Sequence, residues 1–321
     1  MSNKILLSII SGKRPDNMRL TEKWLKSSGL SDKYRTILFS NNSEGYNILE
    51  GQELIDIPQD YRDYFEEQNK LDMFGMMAPM SRSYSDKWAL ENGYDINIQL
   101  DDNIGNLGLV NCFSKERVNS STNDPETFKI IFEEFIARVE ELIATGVSKV
   151  GCELPLPPVK KPQVNFSTYP YSMFANNLHL PFPEYVGSTE DDITDSIRRT
   201  QMGLLTAKIT YITYAKPSAV GSKDNTGSRA AYAALDGQKH SRGWVQEKYF
   251  PELYSRGYSS APTGASHKDY TVFKHYLKPL PSVEEVRYIK DSIELDELIQ
   301  KVRECRTKII KRESKFDDFV L

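Results

Sequence analysis

A chain of 321 residues with 39% hydrophobic and 27% charged residues has the composition of a soluble globular protein and the length of one large α/β domain or two ordinary ones. No apolar run approaches the roughly 20 residues of a bilayer-spanning helix, and the run at residues 5–10 is too short for the apolar region of a signal peptide. A membrane protein is therefore excluded as an expectation, and a cytoplasmic location is expected. The formal charge of −4 offers no global case for a polyanion partner. Cys112, Cys152 and Cys305 are odd in number and show no paired metal spacing, which fits a reducing compartment.

The first hundred residues alternate strand with helix. Residues 5–10 read as a strand, 20–30 as a helix, 36–39 as a strand, 53–57 as a short strand and 80–91 as a helix leading to a strand over 95–100. Such alternation implies a largely parallel sheet flanked by helices. The strongest helix signal spans 124–146, with Asp124 as N-cap, Pro125 in the first turn and Gly146 as the stop. Its apolar face is Phe128, Ile131, Phe132, Phe135, Val139, Leu142 and Ile143. A strand over 150–156, a helix over 191–205 and a β-rich run over 209–214 follow. Residues 217–246 are turn-rich, with Gly221, Gly227, Gly237 and Gly243, a length that marks function in a compact domain. From 282 to 312 the chain is charged and helical, with Ile293, Leu295, Leu298, Ile299, Val302 and Cys305 as its apolar face. The division expected is one catalytic domain over residues 1–281 and a charged helical extension over 282–321.

The most informative motif is the strand 95–100 running into Asp101-Asp102-Asn103. Carboxylates at the carboxyl end of an α/β strand point into the crevice where such sheets bind ligands. A hard cation held by one or two carboxylates completes its shell with water and substrate phosphates, so Asp101, Asp102 and the neutral oxygen of Asn103 are candidate metal ligands. An Asp/Asn/Gly turn without chemistry is the competing reading. Glu190, Asp191 and Asp192 form a second acidic cluster, one member of which would serve as general base, although acids also favour helix starts for electrostatic reasons alone. Ser11, Lys13 and Arg14 follow the first strand, around a Gly12 that allows close backbone approach, and with Arg82 they are candidate donor contacts. His267 is a candidate metal ligand from a returning loop.

Charge is uneven along the chain. Residues 198–280 hold 13 Lys and Arg against 5 Asp and Glu, a net +8, the footprint of a phosphate-rich partner. Arg198, Arg199, Lys223, Arg229, Lys239, His240, Arg242 and Trp244 are its candidate DNA contacts, with Tyr232, Tyr249 and Phe250 able to stack on bases or to pack internally.

The order of these features (Ser11-Gly12-Lys13-Arg14-Pro15, Arg82, Gln99-Leu100-Asp101-Asp102-Asn103, Glu190-Asp191-Asp192 with Arg198, then Ser222-Lys223-Asp224-Asn225-Thr226-Gly227 and Trp244) resembles the TET/J-associated glycosyltransferases. These are GT-A-type enzymes of phage genomes and a few eukaryotic regulatory proteins, and the resemblance covers roughly residues 5–280. It implies a GT-A-like single mixed, mostly parallel sheet flanked by helices, and the charged C-terminal helix lies outside it. It also implies a nucleotide-diphosphate sugar donor (UDP-sugar being the expected one), Mn²⁺ or Mg²⁺ as cofactor, and host cytoplasm as the location of a phage-encoded member. The acceptor implied is the hydroxyl of 5-hydroxymethylcytosine or a related base in double-stranded DNA. Asp101 and Asp102 match the metal and donor motif, and Asp191 or Asp192 the base. The spacing from Glu190 to Arg198 is longer than in the family, which leaves the base open among 190–192. Two further readings stand beside this one: the same chemistry on a protein, glycan or sugar-modified hydroxyl, and a non-catalytic nucleotide- or DNA-binding module.

Overall fold

A computed structural model describes residues 3–12, 19–69, 78–120, 124–154, 163–187, 191–216, 244–252, 256–258, 269–271, 290 and 292–317. Its elements in chain order are β1 (Ile5–Ser11), α1 (Thr21–Ser27), α2 (Leu30–Lys33), β2 (Arg35–Ser40), β3 (Glu53–Asp56), α3 (Gln59–Asn69), α4 (Ala78–Glu91), β4 (Ile96–Asp101), β5 (Asn106–Val110) and β6 (Arg117–Asn119). They continue with α5 (Pro125–Ala144), β7 (Lys149–Glu153), β8 (Val164–Phe166), β9 (Met173–Asn177), α6 (Asp191–Gln201), β10 (Thr206–Ala215), α7 (Trp244–Tyr249), β11 (Arg256–Tyr258), β12 (Asp269–Thr271) and α8 (Ser292–Asp317).

Ten strands form one mixed sheet in the order β3-β2-β1-β4-β9-β7-β10-β5-β6, with β8 alongside β10; β11 and β12 make a separate hairpin. The strands β3, β2, β1 and β4 are a parallel block. All sheet strands except β5, β8 and β9 share one direction, so the sheet is mixed and mostly parallel as expected. Chain order reverses at β1, which pairs β2 on one side and β4 on the other. The crevice beyond the carboxyl ends of β1 and β4 is therefore a topological switch point, where open α/β sheets bind ligands.

Side-chain alternation places helices on both faces. Ile5, Leu7 and Ile9 of β1 join Ile96, Ile98 and Leu100 of β4 in the main core, whereas Leu6 and Ile10 turn to the other face, against α4. The apolar face of α5 is wholly buried in the main core, and Asp124 caps it by accepting from Thr127 N at 3.2 Å. Gly146 follows at φ 92°, a left-handed position that suits glycine.

Three expectations are corrected in detail. The helix expected over 20–30 is two helices, broken at Gly29 with φ 72°. The short strands β5, β6, β8 and β9 and the helix α3 are additional to the expected elements. On α8, Leu295, Ile299 and Val302 are buried in the main core, Leu298 and Cys305 are half-buried, and Ile293 is exposed, because the helix presents a narrower stripe than its apolar pattern suggested. Among the described residues no helix is long and apolar enough to cross a membrane.

Candidate active site

β4 is apolar on one face only. Its other face carries Asn97, Gln99 and Asp101 at a two-residue period, turned toward α4. Asn97 Nδ2 donates to Asp86 Oδ1 at 2.8 Å, and Asn97 Oδ1 accepts from Ser8 Oγ at 2.6 Å. Gln99 Nε2 donates to the Arg82 carbonyl at 3.1 Å and to Ser85 Oγ at 3.1 Å. Asp101 ends this polar row at the mouth of the crevice.

The turn after β4 is pinned from several sides. Asp101 N donates to Ser172 O at 2.8 Å, and Ser172 itself sits at φ 54°, an uncommon position for a non-glycine residue. The Asp102 carbonyl accepts from Leu20 N at 2.8 Å and Thr21 N at 3.0 Å, while Thr21 Oγ1 donates to Asp101 O at 2.5 Å and accepts from Ile104 N at 3.0 Å. The start of α1 thus holds the backbone of the acidic turn. Ser11 Oγ, at the end of β1, donates to Asp102 Oδ2 at 2.6 Å and lies 2.9 Å from Tyr46 Oη.

The two acidic clusters meet at one guanidinium. Arg82, 4% exposed, places Nη2 2.5 Å from Asp101 Oδ1 and Nε 2.6 Å from Asp191 Oδ2. The second contact is an ion pair off the axis of an aligned hydrogen bond. Burial alone would weaken the charge on Arg82, but Asp191 and Asp101 outweigh it and raise its pKa above the ordinary value. Asp101 Oδ2 is paired with Lys216 Nζ at the end of β10. Lys216 is additional to the expected site residues. The signal that finds it is sheet pairing: Ala215 lies opposite Asn106, and Gly105 N donates to Ala215 O at 2.8 Å.

Beneath the site, Asp195 and Arg199 of α6, Lys149 of β7, Asn176 of β9 and Asp86 of α4 form a buried polar network. Lys149 Nζ stands 2.8 Å from Asp195 Oδ2, with both side chains fully buried. Arg199 pairs with Asp195 at 2.9 Å and donates to Asn176 Oδ1 at 3.1 Å. Burial pushes Asp86 up to about 6, against the pull of hydrogen bonds from Asn176 and Asn97, and pushes Lys149 down. Asp195 stays below its ordinary value because Arg199 and Lys149 overcome its desolvation.

The expected site residues divide clearly. Ser11, Arg82, Asp101, Asp102 and Asp191 come together, and Asp192 adjoins them at the start of α6. Arg82, expected as a donor contact, is enclosed between the Asp101 and Asp191 carboxylates. Gly12 does allow a close approach, but to protein: a Cβ there would meet Asn41 Oδ1 at 2.2 Å. Arg199 is corrected as a DNA contact, since its guanidinium is fully buried and spent on internal partners. Arg198 remains accessible and, with Glu184, Tyr185 and Tyr249, lines a cleft of about 340 Å³. Phe250 is buried, and Tyr249 Oη donates to Asn69 O at 2.9 Å, so the packing alternative holds for Phe250. Lys13, Arg14, Glu190, Lys223, Arg229, Tyr232, Lys239, His240, Arg242, His267 and the side chain of Trp244 lie outside the described residues.

The donors at the acidic turn are all oxygens: Asp101, Asp102 and Asn103, whose Oδ1 is buried without a hydrogen-bond partner. That set suits Mg²⁺ or Mn²⁺ better than a thiophilic metal. Among the described residues no three His, Cys, Asp or Glu side chains gather as a closed cation cage.

A scan against protein-family models finds no match, for the TET/J-associated family or any other, and a search of curated protein sequences finds none either. Solved structures with similar chain paths include glucosyl-3-phosphoglycerate synthase from Mycobacterium tuberculosis in complex with Mn²⁺, UDP and phosphoglyceric acid. It is 12% identical, with 89% of this chain and 92% of that chain covered and a TM-score of 0.40. Mannosyl-3-phosphoglycerate synthase from Rubrobacter xylanophilus is another, 11% identical over 88% of this chain and 89% of that chain, with a TM-score of 0.36. At such identities and scores, neither substrate nor activity carries over from these proteins to this chain.

Proposed function

We propose that this protein is a metal-dependent, GT-A-type glycosyltransferase that uses a nucleotide-diphosphate sugar, UDP-sugar being the expected donor. The observation that carries the reading is the convergence of the acidic strand end, Asp101-Asp102, and the acidic helix start, Asp191-Asp192, on Arg82 at the switch-point crevice. A turn or a helix cap without chemistry gives no reason for the two to meet. A divalent cation held by Asp101, Asp102 and Asn103 would act as Lewis acid toward the departing diphosphate.

The chain's own groups supply the remainder of the reaction. Ser11 holds Asp102, and Arg82 fixes Asp101 relative to Asp191. The acceptor hydroxyl oxygen bonds to the sugar C1 as the bond from C1 to the diphosphate oxygen breaks, and the diphosphate leaves with the electron pair. The hydroxyl proton passes to Asp192, at the start of α6 beside Asp191. General base catalysis of this kind contributes typically about 10²- to 10⁴-fold.

The acceptor we favour is the hydroxyl of 5-hydroxymethylcytosine, or a related base, in double-stranded DNA. Its support is the accessible Arg198 beside the cleft along α6 and the Lys and Arg residues of 198–280 other than Arg199, Lys208 and Lys216, which are paired inside the protein, since phosphate contacts supply most sequence-independent affinity. A protein, glycan or sugar-modified hydroxyl is the alternative acceptor. Incubation with Mn²⁺ or Mg²⁺, a panel of UDP-sugars and either hydroxymethylated DNA or peptide acceptors separates the two. Mass gain on the DNA nucleoside supports the first; gain on peptide alone removes it.

A further inference from the structure

Among the described residues, Arg82 and Lys216 both pair with the Asp101 carboxylate, and they differ in freedom. Arg82 takes Oδ1, is 5% exposed in its side chain and is tied to Asp191 as well. Lys216 takes Oδ2 and is 32% exposed. Its backbone position is set by the pairing of Ala215 with Asn106 and by the bond from Gly105 N to Ala215 O, so the ladder that forms the crevice wall delivers the ammonium to the acidic turn. With Oδ1 committed to a buried arginine, Oδ2 is the oxygen that Asp101 offers to an incoming cation, and Lys216 covers it.

Resting on the glycosyltransferase reading, we propose that Lys216 is an exchangeable cation of the donor site. It neutralises Asp101 when no donor is bound, and it moves to the β-phosphate of the nucleotide diphosphate once a divalent cation occupies that carboxylate. A lysine suits the exchange because its ammonium is a compact charge on a flexible stem, whereas the planar fork of Arg82 is fixed by its partners. When the C1–O bond breaks, the electron pair stays on the β-phosphate oxygen, and the Lys216 ammonium meets the charge that develops there. Two consequences follow with opposite sign: Lys216 opposes metal binding in the nucleotide-free protein and favours nucleotide binding in the metal-loaded one.

The test uses the full chain with Lys216→Met and Lys216→Arg, Mn²⁺ as the metal probe and UDP as the nucleotide probe. Free Mn²⁺ is read by electron paramagnetic resonance without nucleotide, and UDP affinity by calorimetry at saturating Mn²⁺. Lys216→Met is expected to bind Mn²⁺ roughly three- to tenfold more tightly and UDP weaker by a similar factor, while Lys216→Arg keeps UDP affinity within about twofold. Unchanged or weaker Mn²⁺ binding in Lys216→Met, or unchanged UDP binding, overturns the role of Lys216 while leaving the glycosyltransferase reading in place. A wild-type chain that binds neither Mn²⁺ nor UDP, and so behaves as Asp101→Asn does, overturns that reading and this inference with it.

Discussion

Arg82 Nε lies 2.6 Å from Asp191 Oδ2, and through the same guanidinium the helix α6 is locked to the strand β4 that carries Asp101. This contact ties the end of one element to the start of another far along the chain. Removing the arginine leaves Asp191 and Asp101 facing each other without the charge that joins them, with Lys216 still on Asp101. Breaking a buried ion pair by deleting one partner costs about 3–5 kcal/mol. Arg82→Met is therefore expected to lower unfolding free energy by that order in urea titration. Arg82→Lys should recover part of the stability but little transfer, because one ammonium cannot reproduce the two-sided fork.

The two acids at the start of α6 should separate in their effects. Asp192→Asn is expected to lower kcat for transfer by about 10²-fold or more while leaving UDP affinity within about twofold. Asp191→Asn should act mainly on stability, through the loss of its ion pair with Arg82. Steady-state kinetics with thermal melts check both, and equal kcat losses with equal stability in the two variants would contradict the assignment.

Adjacent arginines on α6 offer a sharper contrast. Arg199 is fully buried on Asp195, Ser148 O and Asn176, so Arg199→Met is expected to destabilise by about 3–5 kcal/mol. Arg198→Ala should change stability by less than about 1 kcal/mol. If DNA is the acceptor, it should also reduce the salt slope of binding by about one. Denaturation and salt-titrated DNA binding distinguish them.

Sequence periodicity makes the first half of the parallel block, the long helix α5 and its apolar face legible, because burial on one face leaves a regular pattern. Asp101-Asp102 is legible for the same reason: an apolar strand ends abruptly in acids. What periodicity does not reveal is the partner of each charge. Arg198 and Arg199 look alike in the sequence, yet a turn of 100° on a helix sends one to the surface and the other into the network around Asp195. Lys216 is invisible until β10 is paired with β5, an antiparallel partner of only five residues. Asn97 and Gln99 carry a signal that can be read, namely polar side chains at period two in an otherwise apolar strand, matched by Arg82, Ser85 and Asp86 on the facing helix.

Asp86 gives the fold a distinctive pH dependence. Its pKa is near 3.8 when unfolded and about 6 when folded, so between those values Asp86 holds its proton more in the folded chain than in the unfolded one. Stability is then expected to fall as pH rises from about 4 to about 6. Asp195, shifted below its ordinary value, has the opposite sign and loses its contribution only as pH falls below the unfolded carboxylate range. Chemical denaturation across pH 4–6 should show the decline in the wild type and a flatter profile in Asp86→Asn.

The most direct test of the account is transfer to hydroxymethylcytosine DNA from a panel of UDP-sugars with Mn²⁺ or Mg²⁺, read by nucleoside mass spectrometry, with Asp101→Ala alongside. The account predicts a hexose- or pentose-sized mass gain that requires the metal and is lost in the variant. Donor turnover without change to the DNA would move the acceptor to another hydroxyl. The absence of both donor hydrolysis and transfer with every UDP-sugar would contradict the glycosyltransferase itself.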